Sequence, residues 1–117
     1  MGASIRRFRR ADRVLASREF REVSRRGVRS SSRAFVLLWL PESEEGRARL
    51  GLTVSRKVGN AVVRNRVKRR VREWFRNEGR NPLGSGRLVV IARRAAAELE
   101  SSGMRGLLDR QVAEVLS

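Results

Sequence analysis

The segment SRKVGNAVVRNRVKRRVREWFR (Ser55–Arg76) carries nine basic side chains and one acid, Glu73. Within it Val63, Val67, Val71, Trp74 and Phe75 recur at i, i+4, i+8, i+11 and i+12, the spacing of an amphipathic helix. At about 100° per residue these five occupy about one third of the circumference. Lys68, Arg69, Arg72 and Arg76 fall on the opposite side, with Arg64, Arg66 and Arg70 on the flanks. One face would seal against a core while the other holds a fixed row of cations about 24 Å long, at roughly 1.5 Å per residue. A merely solvated face usually mixes signs to gain i,i+4 pairs, whereas Arg64, Lys68 and Arg72 repel one another at that spacing. Repulsion sustained over three turns points to an anion that neutralises it. The single acid, Glu73, is expected to pair along the helix with Arg69 or Arg70.

Upstream, Gly59-Asn60 opens the helix, with Asn60 a good N-cap and free N–H groups that suit an anion. Arg56 and Lys57 just before it favour phosphate. Residues 47–55 alternate as a strand, and residues 34–40 (AFVLLWL) form a continuous apolar run, read as a largely buried strand. The turn PESEEG (Pro41–Gly46) between them implies a hairpin, its acids Glu42, Glu44 and Glu45 pointing to solvent and away from nucleic acid. A first helix is expected from Ser17 to about Arg26, with Phe20 and Val23 apolar, Glu19 in the first turn and Gly27 as stop. Residues 1–13 read as a basic arm, and 77–86 as a loop rich in Gly. Residues 87–93 form another strand. A last helix from Ser101 or Ser102 would place Leu107, Leu108, Val112, Val115 and Leu116 on the core.

A chain of 117 residues makes one domain, here spanning 1–117 with one modest core. There is no Cys and no His, which excludes a disulfide framework and the usual zinc sites. No stretch of about 18 apolar residues suggests a membrane span, and no signal peptide is recognisable, so the cytoplasm is the expected compartment. The net charge of +16 is concentrated. Residues 1–33 carry +8 and residues 56–76 another +8, while 34–55 carry −1 and 77–117 carry +1. Two concentrated blocks predict a polyanionic partner. Of 28 basic residues 26 are Arg, whose fork matches phosphate. Arg13, Arg21, Arg25, Arg26, Arg29 and Arg33 make up the second block. A protein nuclease would need clustered carboxylates, or a His or Tyr. Tyr and His are absent and the acids are scattered, so catalysis by this chain alone is not expected, and neither a catalytic residue nor a metal site is expected in it.

The run KVGNAVVRNRVKR (Lys57–Arg69) resembles the signature of the protein subunit of bacterial ribonuclease P: a Gly-Asn helix start, then Arg-Asn-Arg, then Lys-Arg, in register. Leu15–Gly27 resembles that family's first helix, Arg49–Ser55 the strand before the signature, and Arg87–Arg93 the strand after it. The order α-β-β-α-β-α implies an α+β, two-layer α/β sandwich on a small mixed sheet. The resemblance implies the same fold with four strands, the extra one near Val28–Ser31. It also implies a left-handed βαβ crossover, which the general right-handed rule would not suggest.

The resemblance implies an accessory, RNA-binding subunit of an endoribonuclease. A catalytic RNA would carry the active-site Mg2+ and remove the 5′ leader of precursor tRNA, so the partners would be that RNA and precursor tRNA, with no membrane and no DNA. Arg56 and Lys57 precede the helix. Along it Asn60, Arg64, Asn65, Arg66, Lys68, Arg69 and Arg72 would face the RNA. Phe20, Ser24, Phe35, Val36 and Leu38 would line a groove for the single-stranded leader, tolerant of sequence. Ser24 and Leu38 depart from the aromatic residues the resemblance implies, leaving Arg to supply flat stacking surfaces. An alternative is a ribosomal or RNA-chaperone protein without a cleavage role. Sequence-specific DNA binding is a distant third, since no helix-turn-helix spacing appears.

Overall fold

The computed structural model describes residues 17–42 and 46–117. The arm expected over 1–13, with Arg13, and the acids Glu44 and Glu45 lie outside the described residues. Helix α1 (Ser17–Arg26) carries Glu19 in its first turn and Arg25 and Arg26 in its last, as the helix dipole favours. It ends where the Gly27 N–H donates to the Val23 carbonyl at 2.8 Å. The chain then forms strands β1 (Val28–Ser31) and β2 (Phe35–Pro41), joined by a tight turn. In that turn the Ser32 hydroxyl accepts from the N–H groups of Ala34 and Phe35. Strand β3 (Arg49–Val54) leads through a 3₁₀ turn (Arg56–Val58) into helix α2 (Ala61–Trp74). A π-helical turn (Phe75–Gly79) follows, then strand β4 (Gly86–Ala92), a 3₁₀ segment (Arg94–Glu98) and helix α3 (Ser101–Leu116).

The expected hairpin between residues 34–40 and 47–55 is not formed. Sheet order is β1-β2-β4-β3, so β4 lies between the two. β2 is antiparallel to both β1 and β4, whereas β3 pairs with β4 alone, in parallel, across the α2 connection. The reason is burial. β2 and β4 are apolar on both faces and take the centre of the sheet, where both faces are covered. β3 carries exposed Thr53 and half-buried Arg49, and so serves as an edge.

Side chains of β2 divide strictly by parity. Phe35, Leu37 and Trp39 join a core with Leu50, Leu88 and Val90 and with Val67, Val71, Trp74, Met104, Leu108 and Val112 of α2 and α3. Val36, Leu38 and Leu40 turn to the other face and pack with Val89, Val23 and Phe20 beneath α1. The sandwich of α2 and α3 on the sheet is thus completed by the shorter α1 on its far side.

Helix α2 starts as its sequence demands. Asn60 Oδ1 accepts from the Val63 N–H at 3.0 Å, capping the helix. Gly59 has φ +157°, and a Cβ there would stand 2.9 Å from Val63 Cβ, so the approach requires glycine. Of the apolar stripe, Val67, Val71, Trp74 and Phe75 are buried and Val63 is half-buried. The helical path runs beyond the expected stop near Arg76, because the π turn tucks Gly79 under the Trp74 ring, where a Cβ would be 2.5 Å from the ring. Trp74 Nε1 donates to Asp109 Oδ1 of α3 at 2.8 Å, which fixes the ring.

On α3 the buried stripe is Met104, Leu108, Gln111, Val112 and Val115. Leu107 is half-buried at its edge. Leu116, expected in the core, is 44% exposed, because it lies about 100° round the helix from Val115. Gln111 instead holds a core position and joins three parts of the hairpin. Its Nε2 donates to the Ser30 and Phe35 carbonyls, both at 3.1 Å, and its Oε1 accepts from Ser32 Oγ at 2.9 Å. The neighbouring Ser30 hydroxyl donates to the Glu114 carboxylate.

Candidate nucleic-acid interface

Sealing the Val67–Val71–Trp74 stripe into the core turns the cations of α2 outward. Asn65 and Arg69 are exposed on the outermost ridge, and Lys68 and Arg72 are half-buried beside it. Arg56 and Lys57 project from the 3₁₀ turn just before the helix and are exposed, as is Asn60. Ser55 Oγ accepts from the Lys57 N–H at 3.3 Å and holds that turn. Two of the expected contact residues also serve the fold. Arg64 Nε donates back to the Gly59 carbonyl at 3.1 Å, laying its guanidinium over the helix start. Arg66 Nη2 donates to the Ala97 carbonyl at 3.3 Å, and one turn on Arg70 Nη1 donates to the Leu99 carbonyl at 3.0 Å. These bonds tie the chain after β4 to α2. They also correct the expected pairing of Glu73: it makes no ion pair among the described residues, since the carbonyl of Leu99 holds Arg70.

The opposite sheet face is where the second set of residues meets. Phe20 is half-buried and Ser24 exposed on α1, above buried Val36 and Leu38. Phe35 does not join them. Strand parity sends it through to the α2/α3 core, where it is fully buried. Its place on the α1 face is filled by its strand neighbours. Cross-strand register aligns Ser31, Val36, Ile91 and Thr53 in one row, with Ile91 half-buried and Thr53 exposed. Ile91 and Thr53 were not anticipated, although period-two counting along β4 from Val89 would have found Ile91. Arg29 shares this face opposite Leu38 and is exposed, its Nε donating to Ser31 Oγ at 3.1 Å. Of the remaining second basic block, Arg21, Arg25 and Arg33 are exposed, and Arg26 pairs with Glu22 at 2.8 Å.

A cluster that sequence reading missed fastens α1 over this face. Arg87 of β4 is buried and lies 2.8 Å from a Glu22 oxygen, 3.2 Å from Glu42 and 3.8 Å from Glu19. The Glu42 contact is an ion pair without the alignment of a hydrogen bond. Arg49 of β3 also reaches Glu19, at 2.5 Å. Glu42 is exposed, as expected of the turn, but it also pairs with Arg87, which the sequence did not suggest. The hydrogen bond from Arg87 holds the Glu22 carboxyl below its ordinary value of 4.5. Among the described residues no group of three or more acids, His or Cys converges to hold a metal ion. None of the described helices is long and apolar enough to cross a membrane.

The family model for ribonuclease P matches residues 8–115. The chain belongs to the ribonuclease P protein family. The ribonuclease P protein component of Bacillus pumilus is 40% identical over 92 residues, covering 79% of this chain and 77% of that one. That of Shouchella clausii is 41% identical over 102 residues, covering 87% and 84%. Among solved structures, the Staphylococcus aureus RNase P protein superposes with a TM-score of 0.80 at 30% identity over 92% of this chain and 99% of that one. The Thermotoga maritima RNase P protein gives 0.72 at 33% identity over 87% and 96%. The α+β fold with its four-stranded mixed sheet is that of these ribonuclease P proteins. The chain is accordingly an accessory protein subunit of an endoribonuclease that works in tRNA 5′ processing, and ribonuclease P RNA is its partner.

Proposed function

We propose that the outer face of α2 and the turn before it, from Arg56 to Arg72, lie on the ribonuclease P RNA while the α1 face of the sheet receives the leader of precursor tRNA. One observation carries this reading: the cations of α2 are held outward by the burial of Val67, Val71 and Trp74. A helix fixed in this way needs no backbone ordering on meeting phosphates, so the cost is confined to the side chains. Arg56, Lys57, Asn60, Arg64, Asn65, Arg66, Lys68, Arg69 and Arg72 would contact the RNA. Phe20, Ser24, Val36 and Leu38, joined by Ile91 and Arg29, would meet the leader through apolar contact and guanidinium stacking. The two basic regions lie on opposite sides of the sheet, so the subunit would screen repulsion between two RNAs. Chemistry and Mg2+ belong to the RNA, and the setting is the cytoplasm.

The test is cleavage of 5′-labelled precursor tRNA at low magnesium by a bacterial ribonuclease P RNA, with and without this protein. Wild type should stimulate cleavage. The joint replacement of Arg64, Lys68 and Arg69 by Ala should abolish that stimulation while the fold is kept. Stimulation by the triple variant equal to wild type would move the RNA-contacting surface off α2.

A further inference from the structure

Between the β1–β2 turn, the 3₁₀ segment Arg94–Glu98 and α3 lies an open cleft of about 410 Å³, within the roughly 300–1,000 Å³ range of ligand pockets. Ala34, Ala95, Leu99 and Leu107 form smooth apolar walls, and Arg33 and Glu98 stand at the rim. Three features of the cleft point to its occupant. The bonds from Arg66 to Ala97 and from Arg70 to Leu99 fasten its rim to α2, so it continues the basic helix. Its surroundings are cationic: Arg33, Arg93 and Arg94 are exposed, and Arg93 Nη1 donates to the Ser32 carbonyl at 3.1 Å, beside the cleft. Glu98 is exposed and makes no ion pair among the described residues, despite those arginines.

We propose that the cleft receives one unpaired guanine of the ribonuclease P RNA. The base would lie against Leu99, Leu107 and the two alanines, with its phosphate towards Arg33. The Glu98 carboxylate would accept from the guanine N1–H and N2–H. An ionised carboxylate only accepts, and guanine alone among the four bases offers it two adjacent donors on one edge. Unpaired RNA bases are read in this manner, by apolar contact on the ring and hydrogen bonds at the edge. The proposal rests on α2 being the helix that faces RNA.

Two measurements on the full chain with ribonuclease P RNA test it. In the first, RNA substituted with 6-thioguanosine is irradiated and the crosslinked protein residues are located by mass spectrometry. Crosslinks within 95–107 are expected, and crosslinks confined to α2 overturn the proposal. In the second, RNA affinity is compared for wild type, Glu98→Gln and Arg69→Ala. If Glu98 only repels phosphate, Glu98→Gln binds more tightly. If it reads guanine, Glu98→Gln binds about tenfold more weakly. Weakening by Arg69→Ala alone, with Glu98→Gln unchanged or tighter, removes the cleft and leaves α2 as the RNA face. No effect from either variant removes both.

Discussion

At the scale of single residues, Gln111 shows how a polar side chain becomes part of a core. Its amide group serves two carbonyls and one hydroxyl at the turn that starts β2. Leucine would fill the space but remove three buried hydrogen bonds, each worth about 1 kcal/mol. Gln111→Leu should therefore destabilise the protein by about 3 kcal/mol and lower Tm by roughly 10 °C, read by thermal melting. A change under about 1 kcal/mol would mean that water replaces the amide. Phe35 makes a related point. Its neighbours Val36 and Leu38 are equally apolar, so the sequence offers no sign of which face each residue takes. The register with β4 settles it.

At the scale of elements, α1 depends on charge as well as on Phe20 and Val23. It is held to the sheet by Glu19 and Glu22 acting on Arg87 and Arg49. Arg87 is the largest cause of the lowered Glu22 value, so the folded form prefers the ionised carboxylate. The sign follows: the Glu22 contribution is present above the unfolded value of 4.5 and is lost as pH falls through the lower folded value. Melting temperature should drop more steeply below about pH 4.5 in wild type than in Glu22→Gln. Parallel acid limbs for the two proteins would show that Glu22 does not fasten α1. The π turn after α2 has its cause in packing too. Its last three residues, Asn77–Gly79, read as the start of a loop, yet the Trp74 ring above Gly79 makes them a continuation of the helix.

At the scale of the molecule, the net charge of +16 is tolerated because its two blocks are held apart. α2 presents one on the sheet face that carries the main core; α1 and β1 present much of the other around the far face. Association with ribonuclease P RNA should weaken steeply with salt. Replacing exposed Arg69 with Ala should lower the slope of log K against log salt by about 0.7–0.9. An unaltered slope would mean that Arg69 touches no phosphate.

Within the sequence by itself, the α2 register was legible because its apolar stripe and its cations are both periodic, and each limits the other. The Asn60 cap, the strand at Val28–Ser31 and the four-stranded α+β fold followed from local signals and from the resemblance carried by residues 57–69. Tertiary structure alone decided the insertion of β4 between β2 and β3. It also decided the passage of Phe35 to the α2 side, the recruitment of Glu42 to Arg87 and the place of Gln111 in the core. The physical reason is common to these. Periodicity reports which residues share a face of one element, whereas strand order and ion pairing depend on partners distant in the chain. A run apolar on both faces, such as Phe35–Leu40, must be central, but nothing in the run itself states which strands will flank it.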